Sequence, residues 1–433
     1  MRFWTITGCL LFVSLAAGAQ QSFSSLQEVL QYADKNNAAI RQAQLQPQSA
    51  QQDVTIQASG LYPKVNVYAT GDYYPIITTQ VIPAEAFGGP AGTYRKVQFG
   101  LPYVFAAGAE LSMPVINLEK WAQLQKSRHM YEQAQWNSKA AIENLHIQAI
   151  QAYYQVLATE AVLQLNHENM TITDELLRIM QQRLDNGVLN PADYNRSKNL
   201  NLDVQSSDVA YRKTLQQSRN NLNTLLNIPV TDAVSLHDSL MGFNWPLPEE
   251  LADVNHRPGM MEANAKLSVA ESALSESKRG GLPKLSLNGR YAYNFQSKFE
   301  SGSQDVNFDV SSVGLRLDVP LFQGNYYRAG QKKNTVLLQS AELEKERVLH
   351  ALEQQQADWT NQYRSAYERK NILQQKVEVA GENLRIARLN MNEGVMEFDE
   401  FNNIFTEYNR ARMDYLQNLA DGILYHLLST QNF

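Results

Sequence analysis

The two halves of this chain repeat one pattern of residues. In the first half, strand-like runs lead to Pro114, and a long stretch without proline then ends at Gly187 in Asp-Asn-Gly. About 206 residues later the order recurs, with Pro320 and with Gly394 in Asn-Glu-Gly. Such internal similarity indicates a duplicated structural unit. The chain is therefore predicted to fold as two copies of a unit that contains two short strands and very long helices.

Helix-breaking residues are nearly absent from the long stretches. Residues 119–186 contain neither proline nor glycine, and residues 326–393 contain only Gly330 and Gly381. A helix of ~70 residues is ~100 Å long at 1.5 Å per residue, which is far longer than usual in globular proteins. Apolar residues recur at steps of three and four, so each helix is predicted to pack through a narrow coiled-coil seam. The seam residues are Ile142, Leu145, Ala149, Ala152 and Val156, then Leu373, Val377, Ala380, Leu384, Ala387 and Met391.

Four shorter runs alternate between apolar and polar residues, which is typical of strands with two unlike faces. The clearest is residues 285–295, and residues 312–319 follow it. Residues 65–72 repeat the alternation in the first half, and residues 105–113 do so more weakly. The apolar positions are Val65, Val67, Ala69, Gly71, Phe105, Ala107, Ala109, Leu111, Met113, Leu285, Leu287, Gly289, Tyr291, Tyr293, Phe295, Val313, Leu315, Leu317 and Val319. Residues 73–103 are predicted to be a long exposed loop, and residues 296–307 a shorter one.

These strands suit either a membrane barrel or a half-buried soluble sheet. No stretch approaches the ~18 consecutive apolar residues of a spanning helix, so a membrane crossing would need a closed barrel. The absence of a spanning helix, together with the export predicted from the N-terminus below, favours the membrane barrel over the soluble sheet. Four strands cannot close around a lumen, and several copies are therefore predicted to share one barrel.

The N-terminus is predicted to be a cleaved signal peptide, residues 1–19. A basic start is followed by a short apolar core that begins at Cys9, and Ala17-Gly18-Ala19 supplies the small residues of a cleavage site. The alternatives are a membrane anchor, for which the apolar run is too short, and lipidation of Cys9, whose apolar run follows rather than precedes it.

Composition excludes several classes of function. Cys9 is the only cysteine, so a cleaved chain would have no disulfide, thiolate metal site or cysteine nucleophile. The formal charge of −6 argues against nucleic-acid binding. The seven histidines are scattered, and no phosphate-binding loop, nucleophile elbow or zinc-binding helix motif is present. We therefore expect no enzyme activity, cofactor or metal site.

The order of these features resembles the TolC family of outer-membrane efflux proteins. A signal peptide, helix, hairpin, long helix, Gly-tipped turn and return helix are followed by the whole unit again, which covers nearly the entire mature chain. The local signatures are the strand entries Tyr62-Pro63-Lys64 and Leu282-Pro283-Lys284, the strand exits Pro114 and Pro320, and the tips Gly187-Val188 with Asp193 and Gly394-Val395 with Glu400.

The resemblance implies a mainly α fold with a membrane β-barrel. Three chains would give four strands each to a twelve-stranded barrel, and the helices would form a periplasmic α-barrel. The expected divisions are a first repeat at residues 20–227, an equatorial connector at 228–257 and a second repeat at 258–433, which ends in a C-terminal equatorial segment from about Leu416. The implied partners are two further copies of the chain, outer-membrane lipid, a periplasmic adaptor (membrane fusion) protein, and an inner-membrane efflux pump or ABC transporter.

The turns at the helix tips are the first candidate site. Gly187 and Gly394 suit left-handed helix ends, and with Val188 and Val395 the resemblance makes them the adaptor contact. Asp193 and Glu400 each lie six residues after a tip glycine, and the resemblance implies rings of carboxylates at a periplasmic aperture. The alternative is that both carboxylates only stabilise a helix dipole.

Two further tip residues complete the predicted gate. Asn403 occupies a position where the family often has a second acidic residue, and this argues against strong cation binding. Arg196 is the counterpart of Asn403 in the first half. Contacts among Asp193, Arg196, Glu400 and Asn403 are predicted to hold the entrance shut until an adaptor binds.

The second candidate site is the charged face of the strands. Asp72, Glu110, Arg290, Arg316 and Asp318 are predicted to line the barrel lumen and to give it a weak ionic preference. Simple solvation of an inward face is the alternative.

The predicted function is a passive outer-membrane exit duct. A periplasmic coiled-coil scaffold or adaptor is the other possibility, although it would normally lack the tandem duplication. The transported substrate does not follow from the sequence.

Overall fold

A computed structural model describes residues 21–232, 234–248 and 252–430. The predicted signal peptide, with Cys9, lies outside the described residues. The chain begins with β1 (Gln21–Phe23), α1 (Leu26–Asn36) and α2 (Ala38–Ser59). It continues with β2 (Lys64–Tyr73), β3 (Thr79–Pro83), β4 (Tyr94–Gln98), β5 (Tyr103–Ile116), α3 (Leu118–Asp185) and α4 (Pro191–Leu226). The remaining elements are β6 (Val234–Leu236), α5 (Pro258–Arg279), β7 (Lys284–Ser297), β8 (Val306–Asp318), α6 (Tyr326–Glu393) and α7 (Phe398–Thr430).

The predicted duplication is evident in the elements themselves. Helices α3 and α6 are each 68 residues long, and each follows an antiparallel pair of strands. Each is also followed by a return helix, which has 36 residues in α4 and 33 in α7. The absence of internal prolines allows the backbone hydrogen bonds of both long helices to continue without a break.

The described residues form two compact units. The helical unit comprises the described parts of residues 1–46, 135–262 and 346–433, and the strand unit comprises residues 47–134 and 263–345. None of the described helices is both long and apolar enough to cross a membrane.

The larger core of the helical unit surrounds the middle of α3. Strand β1 pairs in parallel with β6, and α1 and the 228–248 segment pack on the same core. The buried face of α3 therefore includes Ile147, Ile150, Tyr153 and Leu157 in addition to the predicted positions. The prediction of a narrow seam is wrong for this helix, because more than one element covers it. Burial and a 2.9 Å hydrogen bond to Asp238 raise the pKa of the Tyr153 hydroxyl.

A second core joins the ends of both helix pairs. It contains Leu176 and Met180 of α3, Val204 of α4 and three phenylalanines of α7. The predicted seam of α6 is confirmed here, since its members are buried apart from Val377, which is half-buried. This core fixes the α3–α4 pair beside the α6–α7 pair.

The strand unit contains a four-stranded antiparallel sheet in the order β2-β5-β7-β8. Within the described residues, β2 and β8 each lack a partner on their outer edge. Directly opposed residues of antiparallel strands share a face. By this register, the predicted apolar positions between Val65 and Leu317 lie on one face.

Two predictions about the strands need correction. Residues 73–103 are not simply a loop, because β3 and β4 form a separate hairpin there. Strand β8 also begins at Val306, earlier than predicted, and this leaves only residues 298–305 to join it to β7. In its added part the alternation is reversed, so that Phe308 and Val310 share the face of Arg290. The alternation changes phase at Ser311-Ser312, because these two adjacent residues are both polar. The first half of β8 therefore could not be recognised by extending the alternation of the second half.

Candidate functional site in the helix tips and the polar strand face

The two helix tips have the same backbone turn. Gly187 has φ = 71° and Gly394 has φ = 79°, the left-handed conformation that glycine adopts without steric cost. The amide of Gly187 donates to the carbonyl of Leu184 at 2.9 Å, and the amide of Val188 donates to that of Arg183 at 3.0 Å. The corresponding bonds from Gly394 and Val395 are 3.2 and 3.0 Å. This pair of bonds defines the Schellman motif, and the predicted left-handed helix end is confirmed at both glycines.

The valines after the glycines are exposed. In a Schellman motif the residue after the glycine usually contacts an apolar residue in the last helical turn. Here the residues at that position are Arg183 and Asn390, and the side chains of Val188 and Val395 remain 67% and 76% exposed. Each tip thus presents an apolar side chain that its own helix does not cover.

The return helices begin differently. The side chain of Asn190 accepts a hydrogen bond of 2.9 Å from the amide of Ala192, and Pro191 occupies the first turn of α4. This is an N-cap with proline in the first turn. Helix α7 begins instead at Phe398, and its first turn carries Asp399 and Glu400.

Arg196 joins the two tips. Its Nη1 lies 3.4 Å from Oδ1 of Asp193 on the same helix and 3.0 Å from Oδ2 of Asp399 on α7. Arg183, on α3, lies beside the second turn, with its guanidinium carbon 3.5 Å from the point that a Cβ on Gly394 would occupy. Both arginines come from the first half of the chain; Arg196 pairs with the second half, and Arg183 lies beside its turn.

The predicted gate residues are only partly brought together. Asp193 and Arg196 are in contact, whereas Glu400 and Asn403 are exposed and form no hydrogen bond or ion pair within the described part of the chain. The sequence interpretation missed Asp399 and Arg183. Asp399 could have been found as the other acidic residue in the first turn of α7, since both positions suit a helix N-terminus.

A cavity of about 460 Å³ lies between the two tips. Its polar lining includes Arg183, Asp193, Arg196 and Asp399, and its apolar lining includes both exposed valines. The cavity can therefore accept a polar group and an apolar group of a docking partner side by side.

The strand unit places all five charged residues predicted for its polar face on one face of the sheet. The register Glu110↔Arg290 aligns two of them across adjacent strands. Asp72, Arg316 and Asp318 fall on the same face by alternation along their strands. Arg316 is 3.1 Å from Asp318 through Nε. Apart from the first half of β8, where the alternation is reversed, one face of the sheet is thus charged and the other apolar.

Arg290 has a further partner that the sequence interpretation missed. Its Nε and Nη2 donate to the hydroxyl of Tyr68 on β2 at 2.9 and 2.7 Å, although β5 lies between the two strands. Tyr68 faces Gly108 on β5, and a Cβ added to Gly108 would overlap the carbonyl oxygen of Tyr291. Glycine therefore allows close backbone packing beneath this pair of side chains.

Within the described residues, no group of three or more His, Cys, Asp or Glu side chains is arranged to hold a metal ion. Several of the charges are instead paired locally, as Arg196 is with Asp399 at the tips and Arg316 is with Asp318 on the strand face. Neither site contains an activated nucleophile or an acid–base pair, and the geometry suits contact and conduction.

Comparison with known proteins agrees with this geometry. The sequence profile of the family described as "Outer membrane efflux protein" matches residues 29–227 and 253–421, which is most of the chain and includes both halves. The outer membrane protein TolC of Vibrio cholerae serotype O1 is 23% identical over 325 residues, covering 72% of this chain and 69% of that protein.

Solved structures extend the likeness to the fold. The outer membrane protein VceC of Vibrio cholerae superposes with a TM-score of 0.75 at 14% identity, over 94% of this chain and 95% of that one. The CmeC outer membrane channel of Campylobacter jejuni gives 0.75 at 15% identity, over 93% and 85%. The predicted fold class, with long coiled-coil-like helices and four strands for a shared barrel, is confirmed. The chain therefore belongs to the outer membrane efflux protein family and is an efflux channel of the outer membrane with a periplasmic extension.

Proposed function

We propose that three copies of this chain form the exit duct of a tripartite efflux or type I secretion system. The observation that carries the proposal is the four-stranded sheet, which has two open edges within the described residues and, apart from the first half of β8, one apolar and one charged face. Four strands are too few to enclose a lumen, and β8 of one copy can pair with β2 of the next. Three copies then give twelve strands, with Asp72, Glu110, Arg290, Arg316 and Asp318 lining the lumen.

The duct conducts passively and does no chemistry. An inner-membrane pump or ABC transporter delivers the substrate through a periplasmic adaptor. We assign adaptor contact to the tips, at Gly187, Val188, Gly394 and Val395. The support is the exposure of both valines beside a cavity that also contains charged groups.

We further propose that the polar contacts at the tips keep the aperture closed at rest. Arg196 is the central residue, since it links the α3–α4 pair to the α6–α7 pair through Asp399. Asp193 holds Arg196 in place, while Glu400 and Asn403 complete the polar lining of the aperture from α7.

Membrane fractionation followed by native mass measurement in mild detergent tests the assembly. We expect an outer-membrane particle with three chains that forms ion-conducting pores in planar bilayers. A soluble periplasmic monomer or dimer would contradict the duct and would favour a coiled-coil scaffold instead.

A further inference from the structure

The polar face of the sheet contains an arginine whose environment suits binding of an oxyanion. The cavity in front of it has a volume of about 470 Å³, and its lining includes the polar residues Asn66, Glu110, Asn288, Arg290, Ser312 and Arg316 beside apolar residues such as Leu111 and Val313. The residue itself, Arg290, is 52% exposed, so a ligand in the cavity can reach it.

The guanidinium of Arg290 is held in one orientation. The hydroxyl of Tyr68 accepts two of its N–H groups, and its carbon atom lies 5.5 Å from the centroid of the Tyr68 ring. A guanidinium has five N–H donors. Within the described residues, three of these donors therefore have no protein acceptor at hydrogen-bond distance. Because the Tyr68 hydroxyl accepts both bonds, its own proton remains available to donate.

The nearest carboxylate does not neutralise this site completely. Glu110 Oε1 is 3.8 Å from Nε of Arg290, which is longer than a hydrogen bond, and the Glu110 side chain is itself 52% exposed. Arg316 differs from Arg290, because its Nε is 3.1 Å from Asp318. A fixed guanidinium with free donors recognises carboxylate and phosphate groups through paired hydrogen bonds, which a flexible lysine does not reproduce.

We propose that Arg290 and Tyr68 form an oxyanion-binding subsite on the barrel wall, which takes phosphate or carboxylate groups of passing anionic substrates. The inference rests on the proposed function, since it requires the polar face to line a conducting lumen. The nearby carboxylate of Glu110 keeps the affinity low. Weak binding is what a conduit requires, because a substrate that binds must also leave.

The test measures how inorganic tripolyphosphate reduces the single-channel current of the full-length trimer reconstituted in planar bilayers. Wild-type channels should show a concentration-dependent, millimolar block. Arg290→Gln should weaken the block at least tenfold, and Tyr68→Phe by about two- to fivefold, since the guanidinium loses its anchor. Arg290→Lys keeps the charge but loses the paired donors and should also weaken the block several-fold. Yield of detergent-stable trimer checks the fold of each variant.

Two controls decide the interpretation. Lys298→Gln, in the turn between β7 and β8, removes one exposed positive charge away from the cavity and should leave the block unchanged. The subsite is overturned if tripolyphosphate blocks the Arg290→Gln channel as strongly as the wild-type channel. It is also overturned if Arg316→Gln weakens the block as much as Arg290→Gln does. The second result would mean that only the total lumen charge matters. If wild-type protein forms no pores, the duct itself fails, whereas pores without a difference in block reject only the subsite.

Discussion

The two helix tips have the same backbone and different charges. Both end in a Schellman turn at a glycine followed by an exposed valine. The first tip contributes two arginines, Arg183 and Arg196, to the contact between them. The corresponding positions of the second half hold Asn390 and Asn403, and the second tip supplies Asp399 as the acceptor.

The apolar packing differs as well. Helix α7 buries Phe398, Phe401 and Phe405 in the core between the tips. The duplicated positions in α4 are Pro191, Tyr194 and Lys198. Duplication has thus preserved the residues that turn the chain, while the residues that join the tips have diverged into donor and acceptor. The comparison separates a folding role, shared by both tips, from a coupling role that is divided between them.

Substitution of the glycine that both tips share should destabilise the protein most. Gly394→Val should destabilise the turn by about 2 kcal/mol, because a β-branched residue is strained at positive φ. Gly187→Val should act similarly. A side chain at 394 would also meet the Arg183 guanidinium at 3.4 Å, so the second tip should suffer more. Limited proteolysis of the detergent-solubilised trimer measures the opening of each tip.

Gly381→Ala is the matched control in α6. A Cβ there would meet only Tyr408, at 3.6 Å, which is an ordinary contact. Since alanine is the better helix former, this variant should be neutral or stabilising by about 0.5–1 kcal/mol. Equal protease sensitivity of Gly381→Ala and Gly394→Val would contradict a specific need for glycine at the tip.

These tip turns were predictable from sequence because only a few residues allow them. The long helices were predictable for a related reason, since the absence of breakers over residues 119–186 leaves little alternative to α3. Apart from the first half of β8, the strand faces follow from alternation, and the register places Glu110 and Arg290 on one face, as expected.

Other features depend on packing that a single sequence does not reveal. Both Asp399 and Glu400 suit the first turn of a helix, and which one reaches Arg196 depends on how the helix pairs meet. The hairpin of β3 and β4 escaped prediction because its strands are mostly exposed on both faces, so burial imposed no alternation. The link from Arg290 to Tyr68 crosses an intervening strand and has no signature in sequence spacing.

The next effect concerns the cap that only the first return helix has. Asn190→Ala removes the hydrogen bond to the amide of Ala192 and should cost about 1 kcal/mol. Glu397→Asn should instead stabilise the start of α7, where an asparagine cap can form. Hydrogen exchange of the first turns of α4 and α7 measures both changes. Loss of protection in α7 rather than α4 on changing Asn190 would contradict the assignment.

The ion pair that joins the tips should contribute less to the free energy of unfolding, but its loss should change the conductance of the channel strongly. The Arg196 and Asp399 side chains are 54% and 68% exposed, so their pair contributes about 0–1 kcal/mol and weakens in salt. Arg196→Gln and Asp399→Asn should each raise single-channel conductance, because the aperture loses its link.

Asp193 and Glu400 sharpen this prediction, because duplication makes them equivalent while their contacts differ. Changing both to Ala should raise conductance, and most of that rise should come from Asp193, which contacts Arg196 at 3.4 Å. Glu400→Gln alone should have little effect. A rise with Glu400→Gln that equals the rise with Arg196→Gln would mean that Glu400 contacts a neighbouring copy.

The smallest effect comes from making the tips alike. Asn403→Arg restores in α7 the residue that α4 has at the corresponding position, four residues after Asp399 and three after Glu400. Such a pair within one helix contributes about 0.2–0.5 kcal/mol and competes with Arg196 for Asp399. Conductance should rise, but less than with Arg196→Gln, while Asn403→Gln stays near wild type. A fall in conductance would instead mean that the new arginine reaches a carboxylate of an adjacent copy and tightens the aperture, and coupling would then run between copies as well as within each chain.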